Sequence, residues 1–237
     1  MKYKKILQRN DKKFYWKEGD LHTNFGIIKE KDIKTKSKVT SNTKKEFSIY
    51  EAKFTDNLRK IRRGPQIMTP KDIGRIIIET GINKNSTVLD CGTGSGMLAA
   101  SLANISKKVI TYEKREGFAK IAKKNFEDLG LKNITIKNKD IYEGIEEKDL
   151  DLITLDLEKP QLVLKHAASS LTSGGFLVIY VPTIPQIQSV LNNLTINLQV
   201  TNFIEILERK WKFENGIIRP ENQMLGHTGF LLFLRKV

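Results

Sequence analysis

A single cysteine, Cys91, is present in 237 residues, so no internal disulfide can form and the chain reads as one made for a reducing compartment. No apolar run approaches the roughly 20 residues needed to span a bilayer, and no hydrophobic segment follows the basic N-terminus as it would in a secretory leader. Histidine is nearly as scarce. His22, His166 and His227 are the only three, and none has a partner at metal-ligand spacing. Acidic residues are outnumbered, 27 against 41 basic ones, for a formal charge of +14. These shortages exclude a disulfide scaffold, a membrane span and a metal centre. They leave the expectation of a soluble cytoplasmic protein with a polyanionic partner.

What is present divides in two. Residues 1–60 hold seventeen Lys and Arg against eight Asp and Glu. Their short apolar groups, Phe14-Tyr15-Trp16, residues 25–28 and residues 47–50, are broken by polar residues and glycine. That pattern predicts a small, basic, β-rich N-terminal domain that docks RNA. Residues 29–45, rich in Lys, Ser and Thr, read as an exposed loop. Residues 61–237 alternate apolar strands with amphipathic helices. Helices are expected over 70–80, 97–105, 117–129, 161–171 and 186–194, and strands over 88–90, 108–112, 133–137, 150–157 and 176–181. Residues 203–213 and 229–234 read as a closing antiparallel pair. The fold class is therefore α/β, a Rossmann-like sheet with helices on both faces.

The second domain is organised around STVLDCGTGSG, residues 86–96. A buried strand ends at Asp90, and Gly92, Gly94 and Gly96 alternate through a tight turn before the next helix. Dinucleotide-binding folds carry G-x-G-x-x-G here to admit two phosphates. This turn is G-x-G-x-G behind an acid, which resembles the first motif of class I methyltransferases that use S-adenosyl-L-methionine (SAM). Ligands of such sheets bind beyond the carboxyl ends of the strands. Three acids fall there: Glu113, placed to take both hydroxyls of a ribose; Asp140, placed to meet the adenine amino group; and Asp156, where a methyl group would be transferred.

Two further absences narrow the reaction. Methylating a pyrimidine carbon needs a cysteine that adds to the ring, and Cys91 lies inside the glycine turn. Exocyclic amines are commonly methylated beside an Asn/Asp-Pro-Pro-aromatic tetrapeptide, whereas this chain has Asp156-Leu157-Glu158-Lys159. A ring nitrogen already offers a lone pair, and one carboxylate such as Asp156 suffices to position the base and offset its developing positive charge.

At this level the chain resembles the tRNA (adenine-N1)-methyltransferase family, which acts on T-loop adenine 58 and, in several archaeal members, also 57. The residues that carry the resemblance are RRGPQIMTPKD (62–72), LDCGTGSG (89–96), YEKREGFAKIAKKN (112–125), LDL (155–157), YVPT with Gln186, RPENQMLGHTGFL (219–231) and the N-terminal DLHTNFG (20–26). The resemblance implies SAM contacts from Gln66, Gly92, Thr93, Gly94, Ser95, Glu113, Phe118, Asp140 and Asp156. It also implies Asp156 as the catalytic carboxylate, tRNA as substrate and a homotetramer. The sequence departs from the pattern at Thr69, where relatives carry Tyr or His, and in the charged stretch after Asp156. Two other readings stand beside this one: a non-catalytic RNA-binding partner subunit, and a SAM-dependent protein methyltransferase of the isoaspartyl type. His227 is read as a structural hydrogen-bonding residue, and Trp16 and Trp211 as core or interface.

Overall fold

A computed structural model describes residues 1–64, 67–214 and 216–237, and the chain forms two units. Met1–Ile61 with Glu127–Gly130 make the first. Its strands are β1 (Lys5–Arg9), β2 (Lys12–Trp16), β3 (Leu21–Thr23) and β4 (Gly26–Ile28), then β5 (Lys38–Thr40) and β6 (Glu46–Glu51) after helix α1 (Glu30–Thr35), with α2 (Phe54–Leu58) last. An antiparallel sheet of order β2-β1-β6-β5 places Leu7 between Phe14 and Ile49, so period-two alternation sends one face into a small core. Phe14, Phe25 and Phe47 meet edge to face in it. The exposed loop expected over residues 29–45 is instead α1 and β5. Each is anchored by one buried residue, Ile33 and Val39, and a single apolar position leaves no periodicity to read.

The second unit comprises Arg62–Phe126 and Leu131–Val237. Helix α3 (Pro70–Thr80) starts with proline in its first turn and ends on Gly81 in the left-handed region. Then come β7 (Thr87–Cys91), α4 (Met97–Ala103), β8 (Lys108–Tyr112), α5 (Glu116–Leu129), β9 (Ile134–Lys137), β10 (Leu150–Leu155), α6 (Leu164–Ser170), β11 (Leu171–Val181), α7 (Ile184–Asn192) and β12 (Leu198–Glu205). Finally β13 (Trp211–Glu214) and β14 (Ile217–Pro220) form a hairpin, and β15 (Phe230–Lys236) returns to the main sheet. Seven strands pair in the order β12-β15-β11-β10-β7-β8-β9, parallel from β11 to β9, with β15 antiparallel to both its neighbours. Strands buried on both faces read as unbroken apolar runs, and Val88 to Cys91 are all buried.

The closing region differs from expectation. The strand that pairs with β15 is β12, at Leu198–Glu205, and residues 203–213 are not one strand, because β13 leaves the sheet to pair with β14. Trp211, expected in a core or interface, is 61% exposed on that hairpin and so lies outside the core, whereas Trp16 is buried. The helix expected over 161–171 is α6 behind a short turn of 3-10 helix, and β11 begins at Leu171 with Gly174-Gly175 inside it.

Candidate active site

The chain leaves β7 for β8 and β9 on one side and returns through β10 on the other. The carboxyl ends of β7 and β10 therefore part at a topological switch point, where open α/β sheets bind ligands. Two residues face each other across it. Gly92 follows β7 with φ +87°, and a Cβ there would overlap the carbonyl oxygen of Asp156. The Asp156 N–H donates to the Cys91 carbonyl at 3.0 Å, which fixes the residue against the glycine turn. The segment beyond Asp156 is held twice more. The Lys159 N–H donates to the Tyr142 hydroxyl at 3.1 Å, and Gln186 Nε2 donates to the Glu158 carbonyl at 2.9 Å.

A cleft of about 400 Å³ opens here, and Gly92, Glu113, Asp140 and Asp156 all line it. Gly92 and Asp156 also border a narrower adjoining recess, together with Thr93, Gly94, Ser95 and Met68. Within it the Ser95 hydroxyl is buried without a hydrogen-bond partner among the described residues. A cradle that admits no Cβ, an orphaned hydroxyl, and acidic and basic side chains in equal number around the cleft suit a ligand that carries charges of both signs, and SAM, with a sulfonium, an ammonium and a carboxylate, is such a molecule.

The expected site residues differ in what they offer. Glu113 is 3% exposed, and its Oε2 accepts from the Gly94 N–H at 2.9 Å. Asp140 caps the turn after β9, accepting from the Tyr142 N–H at 3.1 Å, and meets the Lys114 ammonium at 3.4 Å. Thr93 turns its hydroxyl away from the cleft to Thr111, at 2.5 Å. Phe118 does not line either space directly; it packs under the Arg115 guanidinium, 4.1 Å from ring centroid to Cζ. Gln66 lies outside the described residues. Sequence reasoning did not single out Arg115 or Tyr142, which also line the cleft. Their signal was adjacency, each lying two residues past an acid at a strand end.

Electrostatics set two acids apart. Asp156 opens to the cleft, but the protein on its other sides pushes its pKa up to about 7; the Asp90 charge adds to the rise and Arg115 opposes it. Asp90 lies beneath the turn, 2% exposed, accepting from the hydroxyls of Thr154 at 2.7 Å and Thr111 at 2.9 Å. Burial outweighs those bonds and lifts it to about 6. Cys91 is wholly buried, which pushes its thiol far up and leaves it no nucleophile. His227 is held between Glu205 Oε1 at 2.5 Å and the Pro182 carbonyl at 2.8 Å. Among the described residues no helix is long and apolar enough to cross a membrane, and no His, Cys, Asp or Glu cluster is arranged to hold a metal.

Comparison with known proteins shows the family and the fold. The tRNA (adenine(57)-N(1)/adenine(58)-N(1))-methyltransferase TrmI of Methanocaldococcus jannaschii is 33% identical, covering 98% of this chain and 94% of that protein. A solved SAM-dependent O-methyltransferase from Thermotoga maritima superposes with a TM-score of 0.85 at 31% identity, covering 100% of this chain and 93% of the other. The tRNA (m1A58) methyltransferase TrmI of Aquifex aeolicus gives 0.81 at 30% identity, with 100% and 97% covered. The family described as "tRNA methyltransferase complex GCD14 subunit" matches residues 54–216, and the chain therefore belongs to this family of tRNA methyltransferases, with S-adenosyl-L-methionine as its methyl donor.

Proposed function

We propose that this enzyme methylates N1 of adenine in the T-loop of tRNA, at position 58, with 57 a second candidate. The observation that carries the reading is Asp156. It is a carboxylate pinned at the end of β10 against the glycine turn, in a cleft whose nearby thiol is inert. When bound, the donor supplies an electrophilic methyl carbon. The residues of this chain then have three tasks. Gly92, Gly94 and Ser95 shape the cradle, while Glu113 and Asp140 take the ribose and adenine edges of the cofactor. Asp156 accepts a hydrogen bond from the amino group of the target base, which orients N1 and offsets the positive charge that grows on the ring. A carboxylate with a pKa near 7 is drawn to its ionised form by any cation entering the cleft. N1 of adenine faces the stacked and paired interior of a folded T-loop, so the target base is flipped out.

The basic residues 1–60 supply a surface for the RNA backbone. We also infer a homo-oligomer, a reading supported by the β13–β14 hairpin. Cross-strand register puts Trp211, Phe213, Ile218 and Pro220 on one of its faces, and the first three are more than half exposed.

The test is Asp156→Ala, assayed with labelled SAM and tRNA transcript, nucleoside mass spectrometry and calorimetric SAM titration. Methyl transfer should fall at least a hundredfold while SAM binding persists. Undiminished turnover would remove the catalytic assignment, and label entering protein in place of tRNA would favour the isoaspartyl reading.

A further inference from the structure

The acid assigned to the cofactor ribose is sealed. Glu113 is 3% exposed although it borders an open cleft. A carboxylate has about four lone-pair sites. The Gly94 N–H takes one at 2.9 Å, the Arg115 N–H and Nε take two more at 3.0 Å each, and Arg115 Nη2 leans on the remainder at 3.4 Å. A ribose diol needs two. The backbone donors are fixed by the turn and by the start of α5, so the only contacts able to yield are those of the Arg115 side chain. That side chain is 53% exposed on its outer side and rests flat on Phe118, a half-buried ring that gives it a defined place to stop. Releasing the guanidinium frees two sites, the number the diol requires.

We infer that Arg115 is a self-inhibitory latch on the cofactor site: its guanidinium occupies Glu113 and must swing off for the ribose of an adenosyl ligand to bind. The inference rests on the assignment of Glu113 to the ribose. Burial by itself would raise the Glu113 pKa, yet the guanidinium and the two backbone N–H groups outweigh it and hold the carboxyl below its ordinary range. The latch therefore stabilises a charge that the ribose hydroxyls later take over. Each molecule of ligand bound must displace these charge-assisted bonds, which lowers the observed affinity.

The test uses the full chain, wild type beside Arg115→Ala and Arg115→Lys, titrated calorimetrically with S-adenosylhomocysteine and with SAM. The thioether is neutral, so its affinity is insensitive to the lost positive charge. Lysine keeps the charge but neither spans the carboxylate nor stacks on the ring. Both variants should bind S-adenosylhomocysteine about tenfold tighter than wild type. In a Glu113→Ala background the Arg115→Ala gain should vanish. Unchanged or weaker S-adenosylhomocysteine binding in both variants overturns the latch, as does a gain confined to SAM in Arg115→Ala, which is the signature of charge alone. A Glu113→Ala variant that binds S-adenosylhomocysteine as tightly as wild type would overturn the ribose assignment itself. Arg115 is bonded to the buried Glu113 carboxylate, so both variants should still melt cooperatively but a few degrees below wild type.

Discussion

Replacing Asp90 by asparagine should stabilise the protein at pH 8 and leave it nearly unchanged at pH 4. The carboxyl sits beneath the glycine turn, 2% exposed, and its pKa is lifted from an ordinary 3.8 to about 6, by burial first and with the Glu113 charge adding to it. The folded state thus holds this proton more tightly than the unfolded chain does. The stability it confers is fully present below about pH 4 and is lost as pH climbs through about 6. A shift of roughly two units corresponds to about 3 kcal/mol. For a chain of this size that is a change in Tm of roughly 6–12 °C. Asparagine matches the shape and can accept from one threonine hydroxyl while donating to the other, because Thr111 and Thr154 can each rotate their hydroxyl proton. Paired calorimetric melts of wild type and variant at steps from pH 4 to 8 give the difference directly, with every titrating group that does not feel the Asp90 charge cancelling. A difference that is flat in pH, or a variant less stable at pH 8, would refute the reasoning. The same change removes a charge that helps lift Asp156, so the acid limb of the pH profile of methyl transfer should move to lower pH.

Two glycines in one turn should answer differently to alanine. At Gly92 the new methyl overlaps the Asp156 carbonyl oxygen and lies 3.2 Å from its carbon, on top of left-handed backbone strain, for a loss on the order of 4 kcal/mol together with SAM binding. At Gly94, with φ +53° and its nearest neighbouring atom 3.9 Å away, only the strain of about 1–2 kcal/mol remains; equal melting temperatures for the two variants would contradict this. Asp72→Ala removes a wholly buried carboxylate that accepts from Thr69 at 2.8 Å, Lys71 at 2.8 Å and Thr228 at 3.1 Å. It strands the mostly buried Lys71 ammonium, and urea denaturation should show a loss of about 3–5 kcal/mol. A loss within 1 kcal/mol would mean that Lys71 finds water instead.

The central sheet was legible because its strands are buried on both faces and its turns carry glycine. Residues 86–96 and 150–155 state their conformation without help from the rest of the chain. Asp156 was legible for the same reason, since a run of buried residues can end in a charge only where the strand reaches a surface or a cleft. Other features depend on partners remote in sequence. Ile33 and Val39 are core residues only because Phe47 and Ile49 lie beside them. The escape of β13 from the sheet is decided by pairing with β14, not by its own composition. Glu113 could be located from the end of β8, but its closure by Arg115 depends on side-chain direction within one turn, which spacing does not report.

The antiparallel strand β15 has a consequence for how the protein is made. It lies between β11 and β12 although it follows both in the sequence, and Leu231 to Leu234 are almost wholly buried there. On the ribosome, β12 therefore emerges with no neighbour to pair with, and β11 waits with one margin bare. The nascent sheet stays open until β15 slides in as a wedge, so the sheet closes only after the strand between β11 and β12 has been made.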